Sequence, residues 1–381
     1  MNYRSLKKVN LSVSEIGLGC EHLQGKSYDE VKDIIDCALS NDINIFEVFM
    51  SEPNVRENIG KALEGKRDKV IIQGHIGSIW KNGQYSRSRN IDECKFFFED
   101  LLARLNTDYI DIGMIHYVDT LDDFENVFNG EIIEYAKSLK KSGKIKALGM
   151  SSHNPVISKM AACTGLLDVL MFSINPAYDI LPEHTDVMDM FVKETFDDEN
   201  LKGINAKRED LYKTCEAMDV SITVMKTLGA GTLLKKETSP LDVALTVSQC
   251  INYALDRPAV SSVLIGCANC DEILNALNYK SSTERHYSEV LQSVSKFSME
   301  GKCVYCNHCL PCPSKIDIAK VNKFLDLSSL SDSNFDNIKS NYLKMDTHAE
   351  NCIECKSCEK NCPFGVSVIE KMRKARETFG I

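Results

Sequence analysis

Residues 109–116 read YIDIGMIH, residues 131–142 read EIIEYAKSLKKS and residues 145–151 read IKALGMS. The first and third stretches are apolar through their middle, as expected for strands that are buried on both faces of a parallel sheet. The second stretch repeats apolar residues at helical spacing and leaves a polar opposite face. A strand, an amphipathic helix and another strand in this order predict a βαβ unit.

The same alternation continues along residues 1–285. The other predicted strands are Glu15–Cys20, Ile43–Phe49, Lys69–His75, Val169–Asn175, Ser221–Lys226 and Ser261–Gly266, with helical patterns such as Asp29–Ser40, Val55–Leu63, Ile91–Leu105 and Leu241–Leu255. Eight such units predict an α/β fold, a (β/α)8 TIM barrel with its active site at the carboxyl ends of the strands. An open doubly wound sheet would alternate similarly, but Gly17-Leu18-Gly19 is too short for the dinucleotide-binding fingerprint.

Two cysteine runs predict a second domain, a small α-rich ferredoxin-like domain over residues 286–381. Each run ends in Cys-Pro, and the second has the spacing of the bacterial ferredoxins that bind two clusters. In that arrangement the fourth cysteine of each run binds the other cluster. We therefore predict two [4Fe–4S] clusters, one bound by Cys303, Cys306, Cys309 and Cys362 and the other by Cys352, Cys355, Cys358 and Cys312. Zinc knuckles also use CxxC pairs, but they do not explain the third CxxC step or the two prolines.

The other eight of the 16 cysteines have no ligand spacing. Disulfides are not expected in a reducing compartment. Cys37 and Cys94 lie in helical patterns and are predicted to be small buried thiols.

Charge and hydropathy argue against two classes of partner. The net charge of −10 disfavours nucleic acid and anionic membranes. The first residues lack an apolar signal region, and no apolar run reaches the roughly 18 residues that a membrane span needs. We expect a cytoplasmic protein without a membrane or nucleic-acid partner.

Three further stretches carry a family resemblance: residues 56–63 (RENIGKAL), residues 107–111 (TDYID) leading to His116, and residues 149–153 (GMSSH). Over residues 5–280 the chain resembles the aldo-keto reductases, and the two cysteine runs are similar to those of a bacterial branch with a C-terminal cysteine domain. The resemblance implies a barrel that binds a nicotinamide cofactor and reduces carbonyls with an Asp, Tyr, Lys and His tetrad.

The chain departs from that tetrad at three of its four positions. Glu47 stands at the aspartate position, Ser51–Pro53 where the tyrosine is expected, and His75 at the lysine position. Only the histidine remains, as His116. The usual proton donor of lowered pKa is therefore missing from its expected place.

The resemblance also marks candidate cofactor contacts. Asn154, Asn175 and Tyr178 fall where the family holds the nicotinamide ring. Gly266 opens a stretch that lacks the basic residue with which the family binds a 2′-phosphate, although backbone amides at a helix start can still bind phosphate. Lys226 ends a strand and is suited to an anionic ligand. The residues leave the binding of NAD(P)(H) open.

Three histidines end neighbouring strands: His75, His116 and His153, with Glu47 on the strand before them. Adjacent strands lie about 4.8 Å apart, so these side chains can converge. They are candidate catalytic acid/base groups, candidate metal ligands, or hydrogen-bonded structural side chains. The residue types alone do not choose among these roles.

The loop after the third strand carries Trp80, Lys81, Tyr85, Arg87 and Arg89. A guanidinium beside an aromatic ring suits a carboxylate or phosphate substrate. The alternative is a basic surface loop without a ligand.

The leading hypothesis is an oxidoreductase whose clusters relay electrons to or from a small-molecule substrate or cofactor at the barrel mouth, with protons supplied by His116 and His75. One alternative is a redox-coupled, metal-dependent lyase or hydrolase centred on the three histidines. Another is a non-enzymatic electron carrier or redox sensor that serves a redox partner protein.

Overall fold

The computed structural model describes residues 1–280, 286–330 and 335–381. Eight parallel strands close into a barrel in chain order, which confirms the predicted barrel. They are β1 (Ile16–Gly19), β2 (Ile45–Val48), β3 (Ile71–Ile76), β4 (Ile110–Ile115), β5 (Ile145–Ser152), β6 (Val169–Ser173), β7 (Ser221–Met225) and β8 (Val260–Gly266). Every predicted strand overlaps one of them.

The helices begin at polar caps and place their apolar face inward. In α1 (Tyr28–Ser40) the side chains of Ser27 and Glu30 form a capping box. The other helices among the described residues are α2 (Pro53–Ala62), α3 (Ile91–Arg104), α4 (Leu121–Phe128), α5 (Glu131–Ser142), α6 (Pro155–Cys163), α7 (Ala206–Ala217), α8 (Val247–Leu255), α9 (Cys270–Leu277), α10 (Tyr287–Gln292), α11 (Ile318–Leu327), α12 (Phe335–Leu343), α13 (Ser357–Asn361) and α14 (Val368–Phe379).

An N-terminal hairpin fills the amino end of the barrel. Its strands, Tyr3–Leu6 and Leu11–Ser14, pair in antiparallel fashion. Leu6 and Val13 are fully buried against the first residues of several barrel strands, including Ile45 and Val169. Burying this apolar cluster is the main favourable contribution at that end. The polar residues of the barrel interior therefore collect at the carboxyl end.

The chain divides into two compact units, which are described separately. Unit 1 comprises residues 1–174, 219–227 and 260–280, and it contains all eight barrel strands. Unit 2 comprises residues 175–218, 228–259 and 281–381, and it contains α7, α8 and α10 to α14. The domain boundary near residue 285 stays a prediction. In the described ranges no helix is long and apolar enough to cross a membrane.

One cysteine prediction is wrong. Cys94 is buried as a free thiol, as expected. Cys37, however, forms a disulfide with Cys270 that joins α1 to α9 in unit 1. Sequence spacing did not reveal this pair, because its two cysteines are distant in the chain and meet only when the barrel closes between β1 and β8.

This disulfide predicts a specific thiol count. Alkylation of the denatured apoprotein before reduction should modify 14 cysteines, since two of the 16 are bonded to each other. Reduction first should raise the count to 16. Intact-mass spectrometry measures both. Sixteen modified thiols without reduction would mean that Cys37 and Cys270 are free in the protein.

Candidate functional site

Glu47, His75 and His116 meet at the carboxyl end of the barrel. Glu47 is on β2, His75 is on β3, and His116 directly follows β4; all three are buried. His75 Nε2 lies 3.0 Å from Glu47 Oε1. His75 Nδ1 lies 2.9 Å from His116 Nδ1. The structure thus brings together three of the four predicted catalytic residues.

A hairpin between β3 and α3 adds a tyrosine to this cluster. Its strands, Ser78–Lys81 and Gln84–Arg87, are joined at Asn82 and Gly83, whose φ angles of 55° and 76° are both positive. Asn-Gly is the preferred pair for such a two-residue turn. The turn brings Tyr85 back toward the barrel, where its hydroxyl lies 2.5 Å from His116 Nε2. Sequence reasoning missed this role, although the Asn-Gly pair was a usable hairpin signal.

Two serine hydroxyls make hydrogen bonds that connect the hairpin to the segment at the end of β2. Ser51 Oγ donates to the Ile79 carbonyl at 2.6 Å. Ser78 Oγ donates to the Phe49 carbonyl at 2.5 Å. Ser51 lies where the resemblance to aldo-keto reductases expects the tyrosine. In place of that tyrosine, this chain has a serine whose hydroxyl binds the hairpin that carries Tyr85.

Arg87 and Arg89 fix the other side of the hairpin. Arg89 donates to the carbonyls of His116 at 2.8 Å and Tyr117 at 2.9 Å, and it pairs with Asp123 at 2.7 Å. Arg87 donates to the Tyr117 carbonyl at 2.6 Å. Both guanidinium groups therefore make contacts within the protein, that of Arg89 largely buried and that of Arg87 exposed, which favours a structural role over binding of an anionic substrate.

The contacts dictate one order of protons when Glu47 is ionised and both imidazoles are neutral. A neutral imidazole has one donor and one acceptor nitrogen. If His75 carries its proton on Nε2, the nitrogen that faces Glu47, then His75 Nδ1 must accept from His116 Nδ1. His116 Nε2 is then an acceptor, and Tyr85 donates to it. Tyr85, His116 and His75 thus form one hydrogen-bonded chain. Its far end, His75 Nε2, lies 3.0 Å from Glu47 Oε1 but makes no hydrogen bond to it.

The electrostatic surroundings agree with this order. Burial, followed by the nearby His75, Arg89, Arg87 and His153, lowers the pKa of His116 well below its ordinary value. Burial also raises the pKa of the Tyr85 hydroxyl, although Arg87 and Arg89 oppose the shift. At neutral pH His116 is therefore neutral and Tyr85 keeps its proton.

The fourth predicted catalytic residue, His153, belongs to a separate pair. Its Nδ1 lies 2.9 Å from Asp119 Oδ2, and its backbone N–H donates to Asp119 Oδ1 at 2.7 Å. Across residues 1–280, 286–330 and 335–381, no three or more His, Cys, Asp or Glu side chains lie close enough together to hold one metal ion. The structure therefore does not support the metal interpretation of the histidines.

Three predicted cofactor residues lie elsewhere in unit 1. Asn154 caps α6 by accepting from the Val156 and Ile157 amides. Lys226 follows β7 with a φ of 60°, and burial lowers its pKa against the opposing pull of Glu21 and Asp119. Gly266 ends β8 under the His22 ring, which would lie 2.3 Å from an added Cβ. Their cofactor contacts stay a prediction.

The other two cofactor candidates open unit 2. Asn175 is fully buried, and its Oδ1 accepts from the Tyr178 amide at 2.8 Å. Burial raises the pKa of the Tyr178 hydroxyl. Asn175 therefore orders the turn that carries Tyr178. A nicotinamide contact by either residue also stays a prediction.

The eight cysteines of the two runs line two pockets in unit 2. Site I has about 340 Å³ of empty space that opens to solvent, and site II about 370 Å³. These are the same two groups of four that the spacing predicts for two clusters. Site I is lined by Cys303, Cys306, Cys309 and Cys362, and site II by Cys352, Cys355, Cys358 and Cys312.

The backbone of the two runs repeats. Tyr305 and Asn307 flank Cys306 with φ angles of 61° and 57°. Glu354 and Lys356 flank Cys355 with φ angles of 54° and 63°. Left-handed residues other than glycine are uncommon, and they turn successive amides toward one concave side, as in many iron–sulfur sites. Four thiols and inward amides in each pocket fit a [4Fe–4S] cluster.

The repeat extends past the last cysteine of each run. Cys312-Pro313 leads through Lys315 (φ 57°) into α11, and Cys362-Pro363 leads through Gly365 (φ 61°) into α14. In both halves the amide of the left-handed residue donates to the carbonyl of the cysteine, at 2.9 Å and 3.3 Å. The cysteine part of unit 2 is therefore an internal two-fold repeat.

Comparison with known proteins places the barrel among oxidoreductases. The sequence model of the Aldo/keto reductase family matches residues 15–247. The uncharacterized oxidoreductase YqkF of Bacillus subtilis is 27% identical over 315 residues, covering 78% of this chain and 97% of that protein. The aldo-keto reductase YhdN of the same organism is 34% identical over 189 residues, covering 47% of this chain and 54% of that protein.

A solved structure shows the same fold. The aldo-keto reductase AKR11C1 from Bacillus halodurans, in its holo form, matches with a TM-score of 0.59 and 23% identity. The match covers 75% of this chain and 95% of that chain. At this identity the likeness establishes the barrel fold and not the activity.

The lowered pKa of His116 predicts a pH-dependent stability. In the unfolded chain this histidine has a pKa near 6.5, whereas in the folded protein it stays neutral to lower pH. Below about pH 6.5 the unfolded state therefore binds one more proton than the folded state, and the free energy of unfolding should fall as the pH drops. One such group contributes a slope of up to about 1.4 kcal/mol per pH unit. Chemical denaturation of His116→Gln between pH 7.5 and 5.5 should show a flatter slope. The exposed His184→Gln serves as control and should keep the wild-type slope; equal slopes in all three proteins would contradict this account.

Proposed function

Because the chain belongs to the aldo/keto reductase family and is an oxidoreductase, we propose that it is an iron–sulfur member of that family. In this proposal two [4Fe–4S] clusters exchange electrons with a small-molecule substrate or cofactor at the barrel mouth, and an atypical acid/base set moves the proton. The pair of repeated four-cysteine pockets carries the proposal.

Each pocket supplies the donor set that a cubane cluster needs. Three cysteines come from one run and the fourth from the other, which is the exchange seen in ferredoxins with two clusters. When bound, a [4Fe–4S] cluster takes up or releases single electrons. The exposed side chain of Cys355 in site II brings one thiol to the protein surface, where a redox partner protein has access.

The hydrogen-bonded chain at the barrel mouth supports the proton part of the proposal. In the direction of alcohol oxidation, the C–H hydrogen and two electrons would leave together as a hydride to a nicotinamide cofactor or a comparable two-electron acceptor. Tyr85 accepts the substrate hydroxyl proton while its own proton passes to His116. His116 passes its Nδ1 proton to His75 Nδ1. His75 then passes its Nε2 proton to Glu47 Oε1, which lies 3.0 Å away, once a small rotation brings the two atoms into hydrogen-bonding alignment. One proton leaves the substrate and one arrives at Glu47. Carbonyl reduction runs the same chain backwards from a protonated Glu47.

The competing hypotheses are less well supported. A metal-dependent lyase or hydrolase needs His75, His116 and His153 around one ion, whereas His153 is instead paired with Asp119. A non-enzymatic carrier does not explain the hydrogen bonds that join Tyr85, His116 and His75. The family and its oxidoreductase relatives favour an enzyme.

Cluster binding is tested by anaerobic reconstitution with iron and sulfide. We expect about eight iron ions per chain and a visible absorbance that dithionite bleaches. Cys306→Ala and Cys355→Ala should each lose about half of the iron, because each removes a ligand from one pocket only. Cys163→Ala is the control, since Cys163 is exposed and lies outside both runs. Stoichiometric zinc in place of iron would contradict the proposal.

The role of Tyr85 is tested by Tyr85→Phe. Aldehydes, ketones and alcohols are screened anaerobically with reduced or oxidised viologens standing in for the redox partner, and in parallel with NAD(P)H and NAD(P)+. Loss of a positioned proton-transfer group should lower kcat about 10²- to 10⁴-fold, with a smaller change in KM. Tyr28→Phe, on α1 outside the barrel mouth, should keep the wild-type rate. An undiminished kcat for Tyr85→Phe would remove Tyr85 from the proton path.

A further inference from the structure

The two cysteine pockets differ at one equivalent position of their repeat. Asn322 on α11 lines site I, and Met372 on α14 lines site II. The two side chains occupy matching places, four residues after the first residue of each helix. Both are 1% exposed. One pocket therefore contains a buried amide where the other contains a thioether.

Asn322 contacts a cysteine of site I directly. Its Nδ2 donates to Cys303 Sγ at 3.4 Å, and this sulfur stands for the thiolate that would bind the cluster. Among the residues that the structure describes, Asn322 Oδ1 has no hydrogen-bond partner. Burying an amide that is only half satisfied costs free energy. Such a group in a native protein calls for a functional reason, and its one partner is a predicted cluster ligand.

The position equivalent to Asn322 in site II offers no donor, although Ser314 and the exposed Lys356 also line that pocket. A methionine side chain cannot donate a hydrogen bond. The residues packed around Met372 in this pocket are apolar: Ile316, Ile318, Val368 and Ile369. Ser357 lies 3.6 Å from Cys355 Sγ. Cys355 is exposed, so water competes with that hydroxyl. Water competes less with the Asn322 amide, because the Asn322 side chain is buried.

A buried arginine beside site I has a different role. Arg257 donates to the carbonyl of Val304, which lies between two cysteines of the site, and to the Tyr287 hydroxyl at 3.2 Å. Tyr287 in turn donates to Asp256 at 2.9 Å. Because this carboxylate offsets the guanidinium charge, Arg257 holds the loop in place. The buried donor that differs between the pockets at an equivalent position is Asn322.

We infer that Asn322 is a positioning residue that raises the reduction potential of the cluster in site I above that of the cluster in site II. A hydrogen bond to a ligand sulfur stabilises the reduced, more negative cluster, which raises its potential. One electron then moves from site II to site I, so that site II is oxidised, site I is reduced and no bond is made or broken. The inference rests on the proposed function, because it requires both clusters.

The test is an EPR-monitored redox titration of the reconstituted full-length protein. The wild type should show two unequal midpoint potentials. Asn322→Met should lower only the higher one, and Met372→Asn should raise only the lower one, because each variant gives one pocket the side chain of the other. Asn322→Gln keeps a donor and should restore part of the loss. Iron and sulfide contents are measured in every sample to confirm that both clusters are present.

The outcomes separate the two claims. If iron and sulfide are never taken up, the proposed function fails and this inference fails with it. If both clusters assemble but neither exchange moves a midpoint potential, the inference alone is overturned. A shift of the lower potential by Asn322→Met would also overturn it. Should Asn322→Met fail to fold, Met372→Asn still decides, since it adds a donor to the other pocket.

Discussion

Closure of eight parallel strands is the constraint on which the arrangement of the barrel depends. Parallel strands place all their carboxyl ends at one end of the barrel, and the hairpin carrying Leu6 and Val13 fills the other with apolar side chains. Polar residues that end neighbouring strands must then meet. Glu47 and His75 come into contact for this reason, and so do His75 and His116. None of these contacts requires a special loop.

Tyr85 has a different origin. The family resemblance expects a tyrosine at the start of the segment after β2, where this chain has Ser51–Pro53. A hydroxyl nevertheless lies against His116, delivered by a hairpin from the next strand-to-helix connection. Ser51 bonds that hairpin instead of supplying the hydroxyl. The barrel mouth thus contains a hydroxyl beside His116 that comes from another element, in keeping with the freedom of barrel loops to vary on a fixed scaffold.

Local signals explain which features the sequence predicts. Continuous apolar runs mark strands such as Ile110–Ile115, and regular spacing groups the cysteines into the two sets that line the pockets. Those local signals do not reveal contacts that depend on the direction of a turn or on where distant segments of the chain meet. The contact of Tyr85 with His116 depends on positive φ angles at Asn82 and Gly83. The Cys37–Cys270 disulfide depends on closure of the barrel.

Because unit 2 contains an internal repeat, a side chain that differs between the two halves can be compared directly with its counterpart. The first three cysteines, the left-handed residues and the helix starts correspond in the two halves. The halves differ in the connection to the last cysteine, which is one residue shorter in the first run and lies in α13 in the second. Because Asn322 and Met372 are buried at equivalent positions, exchanging one for the other changes one interaction in a pocket and leaves the rest in place. Two identical pockets would hold two clusters of similar potential, and an electron would have no preferred resting place. If the hydrogen bond in one pocket separated the two potentials by about 30 mV, the ratio of the two reduced states would change about threefold, since a tenfold change corresponds to about 59 mV in a one-electron couple.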